Sequence, residues 1–197
     1  MNLFAPEEVE RVALSQDCWQ TPPQAVLPLT RVFPPEMRVW EPCAGKGSLV
    51  RGLCGLEYEV IASDIEPLCE GVSKHDFFEW QPSEWDCIVT NPPYSILDEV
   101  IARCYELRKP FALLVKIDAL GGKRRQEMYR ANGGISVIML GGRLEFETPT
   151  GKIEGSSPNF ETCWIIGGCW GDYNGEPFGK VTFTTLPSYR HEEALRA

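Results

Sequence analysis

Apolar and polar positions change rhythm along the chain, and each change marks a predicted element. Residues 6–14 repeat apolar positions at helical spacing and read as a short helix. A loop follows over 15–23, SQDCWQTPP, ending at a Pro-Pro pair. Helical spacing resumes over 24–32 and stops at Pro34-Pro35. Apolar runs at 38–41, 58–63, 86–90 and 111–117 then predict strands, with a brief further strand at 73–76. Segments 48–53, 95–108 and 124–131 between or after them have helical period, with Ser48 a candidate N-cap. The run at 86–90, DCIVT, is apolar enough to be covered on both faces. Two more strands, 135–140 and 161–167, are joined by a polar, Gly-rich connection of about 20 residues. From Gly171 onward the pattern fades, apart from a β-prone KVTFTTL.

Strand–helix alternation predicts an α/β fold: a mostly parallel, seven-stranded sheet with helices on both faces. The last two strands lack an intervening helix, so they are expected to pair antiparallel at one edge. A length of 197 residues fits one domain over 1–197, with N-terminal helices and loop at 1–35, a core at 36–167 and a tail at 168–197.

Composition narrows the function classes. There is no run of about 18 apolar residues and no basic-then-apolar leader, so neither a membrane span nor a secretory signal is expected. Eight cysteines occur without a C-x-x-C pair, and only His75 and His191 could assist a metal. Free thiols in a reducing cytoplasm, with no metal site, are the expectation. The net charge of −9 argues against a broad phosphate-hugging surface, though it leaves room for a local basic patch.

Four constellations can carry chemistry. The turn Glu41-Pro42-Cys43-Ala44-Gly45-Lys46-Gly47 follows the first strand, where glycines let a ligand approach the backbone. It lacks dinucleotide or P-loop spacing, and it reads equally as an ordinary strand–helix turn. Asp64 closes the second strand about 20 positions later, suited to a ribose diol or to capping the next segment. At 75–78, His-Asp-Phe-Phe places Asp76 to accept from an exocyclic amine and one of the two aromatics to pack on a ring, or simply a turn acid and a core aromatic.

Asn91-Pro92-Pro93-Tyr94 is the strongest of the four. Two prolines remove two backbone donors and stiffen the corner. What remains is an acceptor-rich turn with an amide and an aromatic, placed at the mouth of the sheet. It can accept both hydrogens of a planar –NH2 and leave the nitrogen lone pair free to attack, while the tyrosine stacks on a flat substrate.

Together these motifs resemble the class I S-adenosylmethionine-dependent methyltransferases, and among them the amino-methyltransferases marked by (Asn/Asp/Ser)-Pro-Pro-(Tyr/Phe). The order Thr21-Pro22-Pro23, Glu41 to Gly47, Asp64, Asp76-Phe77, Asn91 to Tyr94 is similar to that of gamma-type DNA adenine methyltransferases, including small phage enzymes. The resemblance implies a Rossmann-like fold and S-adenosyl-L-methionine as cofactor. It places Thr21 and Pro22 near the methionine carboxylate. Glu41, Ala44 and Gly45 would line the methionine and ribose end, Asp64 would hold the ribose, and Ile65 would pack on the cofactor adenine. Asp76, with Phe77 beside it, would bind the adenine amino group. Asn91 and the Pro92 carbonyl would hold the target amine, with Pro93 stiffening the corner and Tyr94 stacking on a flipped base.

The implied activity is methylation of adenine N6 in DNA, in the cytoplasm, or in a host's cytoplasm if a phage encodes the chain. The same motif serves rRNA base and protein glutamine methyltransferases, and an inactive cofactor-binding homologue is a further alternative. Gamma-type enzymes carry a target-recognition domain for which this chain leaves no room, so sequence choice is expected from loops or a partner. Lys123, Arg124 and Arg125, in the dense basic cluster 121–130, are the candidate phosphate contacts. The segments 142–146 and 157–160 and Trp164 resemble the C-terminal part of small phage enzymes, and 147–159 is a candidate loop over the pocket.

Overall fold

The computed structural model describes residues 20–141, 144–146, 161–168 and 181–185. The helix expected at 6–14, the 147–159 connection and the 157–160 motif lie outside them. None of the described helices is long and apolar enough to cross a membrane.

One sheet organises the molecule. Its strands are β1 (Arg38–Glu41), β2 (Glu59–Asp64), β3 (Ser73–Lys74), β4 (Cys87–Thr90), β5 (Phe111–Lys116), β6 (Ser136–Gly141), β7 (Thr162–Gly167) and β8 (Val181–Thr185), in the spatial order β3-β2-β1-β4-β5-β7-β6-β8. Neighbours from β3 through β5 are parallel. β7 runs antiparallel to both β5 and β6 and is wedged between them. The mostly parallel sheet and the antiparallel β6–β7 pair match the alternation of the sequence. The β-prone tail adds an eighth strand, since β8 pairs parallel with β6 and places that antiparallel pair inside the sheet. The third strand is shorter than expected, two residues in place of 73–76.

The helices are α1 (Ser48–Gly55), α2 (Leu97–Glu106) and α3 (Lys123–Ala131). Strand alternation sends side chains to two cores. Val39, Val89, Ala112, Leu114 and Trp164 face one, with Leu49 and Leu53 of α1. Trp40, Ile88, Leu113, Val115 and Ile165 face the other, with Val100, Ile101 and Cys104 of α2 and Tyr129 of α3. All four residues of β4 are buried, as the DCIVT run predicted.

Two helical expectations change. The 24–32 segment is a 3-10 helix (Pro23–Arg31), with Pro28 inside it. It packs on α1 so tightly that a Cβ at Gly52 would lie 2.4 Å from the Pro23 carbonyl oxygen. Ser48 does not cap α1. The N-cap is Gly47, in the left-handed region at φ 72°, which glycine adopts without steric cost.

The chain runs outward from β1 to β3, then crosses back to β4 on the other side of β1. The strand order therefore reverses between β1 and β4. Open α/β sheets place ligand crevices at the carboxyl ends of such strands.

Candidate functional site

A cleft of about 270 Å³ opens at that reversal, walled by the ends of β1, β2 and β4 and by the loop before Pro23–Arg31. Of the residues singled out in the sequence, Thr21, Ala44, Gly45, Asp64, Ile65, Asp76, Phe77, Asn91 and Pro93 line it. Residues from Thr21 to Pro93 thus converge on one crevice.

The β1–β2 wall is held by the protein itself. Asp64 Oδ2 accepts from the Gly45 amide at 2.8 Å, and its Oδ1 accepts from the Glu66 amide at 2.8 Å. The carboxylate therefore fixes two backbone segments and still has lone pairs for a diol. Gly45 sits at φ 50°, and a Cβ there would lie 2.9 Å from Gln20 Nε2. The Gln20 Oε1 in turn accepts from the Lys46 amide at 3.0 Å, tying the loop that carries Thr21 to the turn. Asp76 Oδ1 accepts from the Phe78 amide at 2.8 Å.

Apolar side chains complete the cleft. Ile65, Leu68, Phe78 and Ile96 are the large hydrophobics that stand exposed among the described residues, and all four line it. Exposed apolar area concentrated in one crevice marks a ligand surface. Ile65 is 59% exposed. Phe77 is instead buried against Trp40, with ring centroids 5.3 Å apart, and reaches the cleft only at its margin. Phe78 is the more open aromatic.

The β4 wall differs. Asn91 lines the cleft, and its Oδ1 is buried without a hydrogen-bond partner among the described residues. Thr21 Oγ1, also buried and cleft-lining, is likewise unpartnered there. Buried acceptors are rarely left unmatched, because each costs about 1–3 kcal/mol of desolvation. Here both belong to residues that line the crevice, where a ligand could match them.

Other expected residues do not line the cleft. Pro22 and Pro92 are buried. Glu41 is fully buried beneath the turn, its Oε1 accepting from the Cys43 amide at 2.9 Å and from the Thr90 hydroxyl. It therefore shapes the turn from below and is not among the residues that line the cleft. Desolvation pushes its carboxyl up to about 8, against the opposing hydrogen bonds from Thr90 and Cys43. Burial also holds the Cys43 thiol well above its ordinary range, so this cleft-lining cysteine is a poor nucleophile. Tyr94 is half-buried off the cleft wall, and the Lys116 ammonium lies over its ring at 5.0 Å from the centroid, so only the opposite face could take a base.

The basic cluster also divides. Arg125 Nε is 2.5 Å from Asp98 Oδ1, and both side chains are mostly buried. Arg125 is thus a clamp between α2 and α3, and its expected phosphate contact gives way to that ion pair. Arg124 lies 3.6 Å from the same carboxylate but remains 76% exposed, and Lys123 makes only a loose 3.9 Å contact with Glu127 at 90% exposure.

Sequence reasoning missed Gln20, Glu66, Leu68 and Ile96, and named Phe78 only within the 75–78 constellation. Gln20 directly precedes Thr21 and was within reach of the same motif. Leu68 and Ile96 carry no local signal, since a Leu or Ile outside a regular element looks the same whether it fills a core or floors a pocket.

No family model matches the chain. Over 125 residues it is 32% identical to the type II methyltransferase M.TthHB8I of Thermus thermophilus, a match covering 57% of this chain and 29% of that protein. The chain thus aligns with less than a third of that relative's length. A protein assigned to the class I S-adenosylmethionine-dependent methyltransferases, from Listeria monocytogenes, superposes with a TM-score of 0.62 at 15% identity, covering 92% of this chain and 70% of its own. The modification subunit assigned to a type I restriction enzyme of Vibrio vulnificus superposes at 0.53 and 12% identity, covering 93% of this chain and 50% of its own. These likenesses show the fold: it is that of the class I S-adenosylmethionine-dependent methyltransferases, Rossmann-like and mixed at one side of the sheet.

Proposed function

We propose that the chain is an S-adenosylmethionine-dependent N-methyltransferase whose preferred acceptor is the N6 amine of adenine in DNA. The observation that carries this reading is the buried, unpartnered Asn91 Oδ1 on the wall of a cleft ringed by exposed apolar side chains. The donor set fits the cofactor. Ile65 and Phe78 offer faces to an adenine ring, Asp76 an acceptor for its amine, Asp64 lone pairs for the ribose, and Thr21 a hydroxyl for the carboxylate. When bound, the cofactor supplies an electrophilic methyl group on a cationic sulfur.

The acceptor chemistry follows from the corner. Asn91 Oδ1 takes one hydrogen of the target amine and the Pro92 carbonyl the other. Both bonds favour a pyramidal nitrogen whose lone pair is free to form the new N–C bond as the S–C bond breaks. The proton leaves the product nitrogen afterwards, so the site needs no strong base before attack. A base in a duplex would have to be turned out of the stack to reach this depth. Lys123 and Arg124 are the cations left to meet phosphates. The similarity to a type II methyltransferase and to a restriction-enzyme modification subunit supports DNA over other acceptors.

The test is transfer of labelled methyl to DNA, RNA and protein extract, followed by digestion to monomers. Label on N6-methyladenine from DNA is the expected result. Label on an RNA base or on glutamine would move the substrate assignment, and label nowhere would leave a cofactor-binding homologue.

A further inference from the structure

Glu41 ends β1 and Thr90 ends β4, the two strands that flank the reversal of strand order. One atom, Glu41 Oε1, accepts from the Cys43 amide on the cofactor side and from the Thr90 hydroxyl on the acceptor side. Thr90 is fully buried and immediately precedes Asn91. The other oxygen, Oε2, is buried with no partner among the described residues. A carboxyl placed this way faces both halves of the site without lining either.

We propose that Glu41 is a proton-linked positioning residue: it releases a proton to solvent when a cationic ligand settles over the turn from Pro42 to Gly45, and its shared oxygen then holds Thr90, and through it Asn91, in acceptor geometry. This rests on the methyltransferase reading, in which that ligand is the sulfonium cofactor. The surroundings favour the neutral acid until a cation arrives. Among the described residues, the groups that face Glu41 are the Cys43 thiol from the turn and the Asp64 carboxylate from β2, with the Thr90 hydroxyl from β4, and none of these is a cation. Desolvation first, and Asp64 after it, disfavour the charged form and hold the carboxyl near 8. A bound positive charge favours the carboxylate and lowers that value. Ligand binding therefore expels a proton below about pH 8, and affinity rises as pH climbs toward 8, by at most about tenfold per pH unit, then levels off.

Calorimetric titration of the full chain with S-adenosylmethionine at pH 7, in two buffers of different ionisation heat, reads the proton directly. Wild type is expected to release up to about one proton. The near-isosteric Glu41→Gln should release none and lose the pH slope, a change that a purely structural role would not produce. Thr90→Val should keep the proton release and bind within about twofold of wild type, yet turn over at least about tenfold more slowly. Cofactor binding without proton release in wild type overturns the proposal and leaves the methyltransferase reading standing. Wild-type turnover in Thr90→Val overturns the link to the acceptor corner. No binding heat at all would remove the methyltransferase reading, and this proposal with it.

Discussion

At the β1–β2 wall Asp64 uses both carboxylate oxygens on the protein's own amides, and Gln20 closes over the Gly45-to-Lys46 turn. At the β4 wall Asn91 keeps a buried oxygen with no partner among the described residues. One wall is preformed, so a ligand meets a shape already fixed. The other stores an unmet hydrogen bond that a substrate donor can complete. The first suits tight binding of a molecule needed at every turnover. The second suits chemistry, because a bond completed only with the acceptor in place favours the reacting arrangement over the resting one.

The sharpest way to break that contrast is Asn91→Ala. Transfer should fall by on the order of 10²–10³ in kcat while cofactor affinity stays within about twofold, measured by single-turnover transfer and by titration calorimetry. A variant that kept full turnover would mean the corner does not hold the amine. Asp64→Ala attacks the other wall. It frees two amides at once, so cofactor affinity should fall at least about tenfold and stability by about 1–3 kcal/mol, read by calorimetry and thermal melting.

Gly45→Ala tests whether the preformed wall depends on the left-handed turn. It should cost about 1–2 kcal/mol, and part of that should be recovered in the double variant with Gln20→Ala, which removes the crowding amide. Additive losses would show that Gln20 does not press on the turn. The smallest effects separate the basic helix. Arg125→Ala should lower stability by about 1 kcal/mol and leave the salt slope of DNA binding unchanged. Lys123→Ala should leave the melting temperature unchanged and reduce that slope by about 1.

How legible these walls were depends on how local their signals are. Asp64 ends β2, Asn91 directly follows β4 and Gly45 lies in the turn after β1, and a strand end is readable because an apolar run stops at a polar or glycine residue. Glu41 stands at one too, but its position does not reveal whether the side chain turns up into the cleft or down beneath it. Sheet packing turned it down, onto Thr90. Arg125 reads as one of three consecutive cations, and only the approach of α2 to α3 selects it for Asp98. Leu68, Phe78 and Ile96 become a pocket lining only when three separate loops meet.

The sequence alone settled the alternation of strands and helices, the order of motifs along it, and the residue types that stand at the Asn-Pro-Pro-Tyr corner. Each of these is written in neighbouring residues, as periodicity, backbone restriction or side-chain type. Tertiary structure alone decided that β7 enters between β5 and β6, that Glu41 lies below the cleft, and that Tyr94 carries Lys116 on one face of its ring. Those outcomes depend on which distant surfaces exclude water together, and distance along the chain holds no record of that.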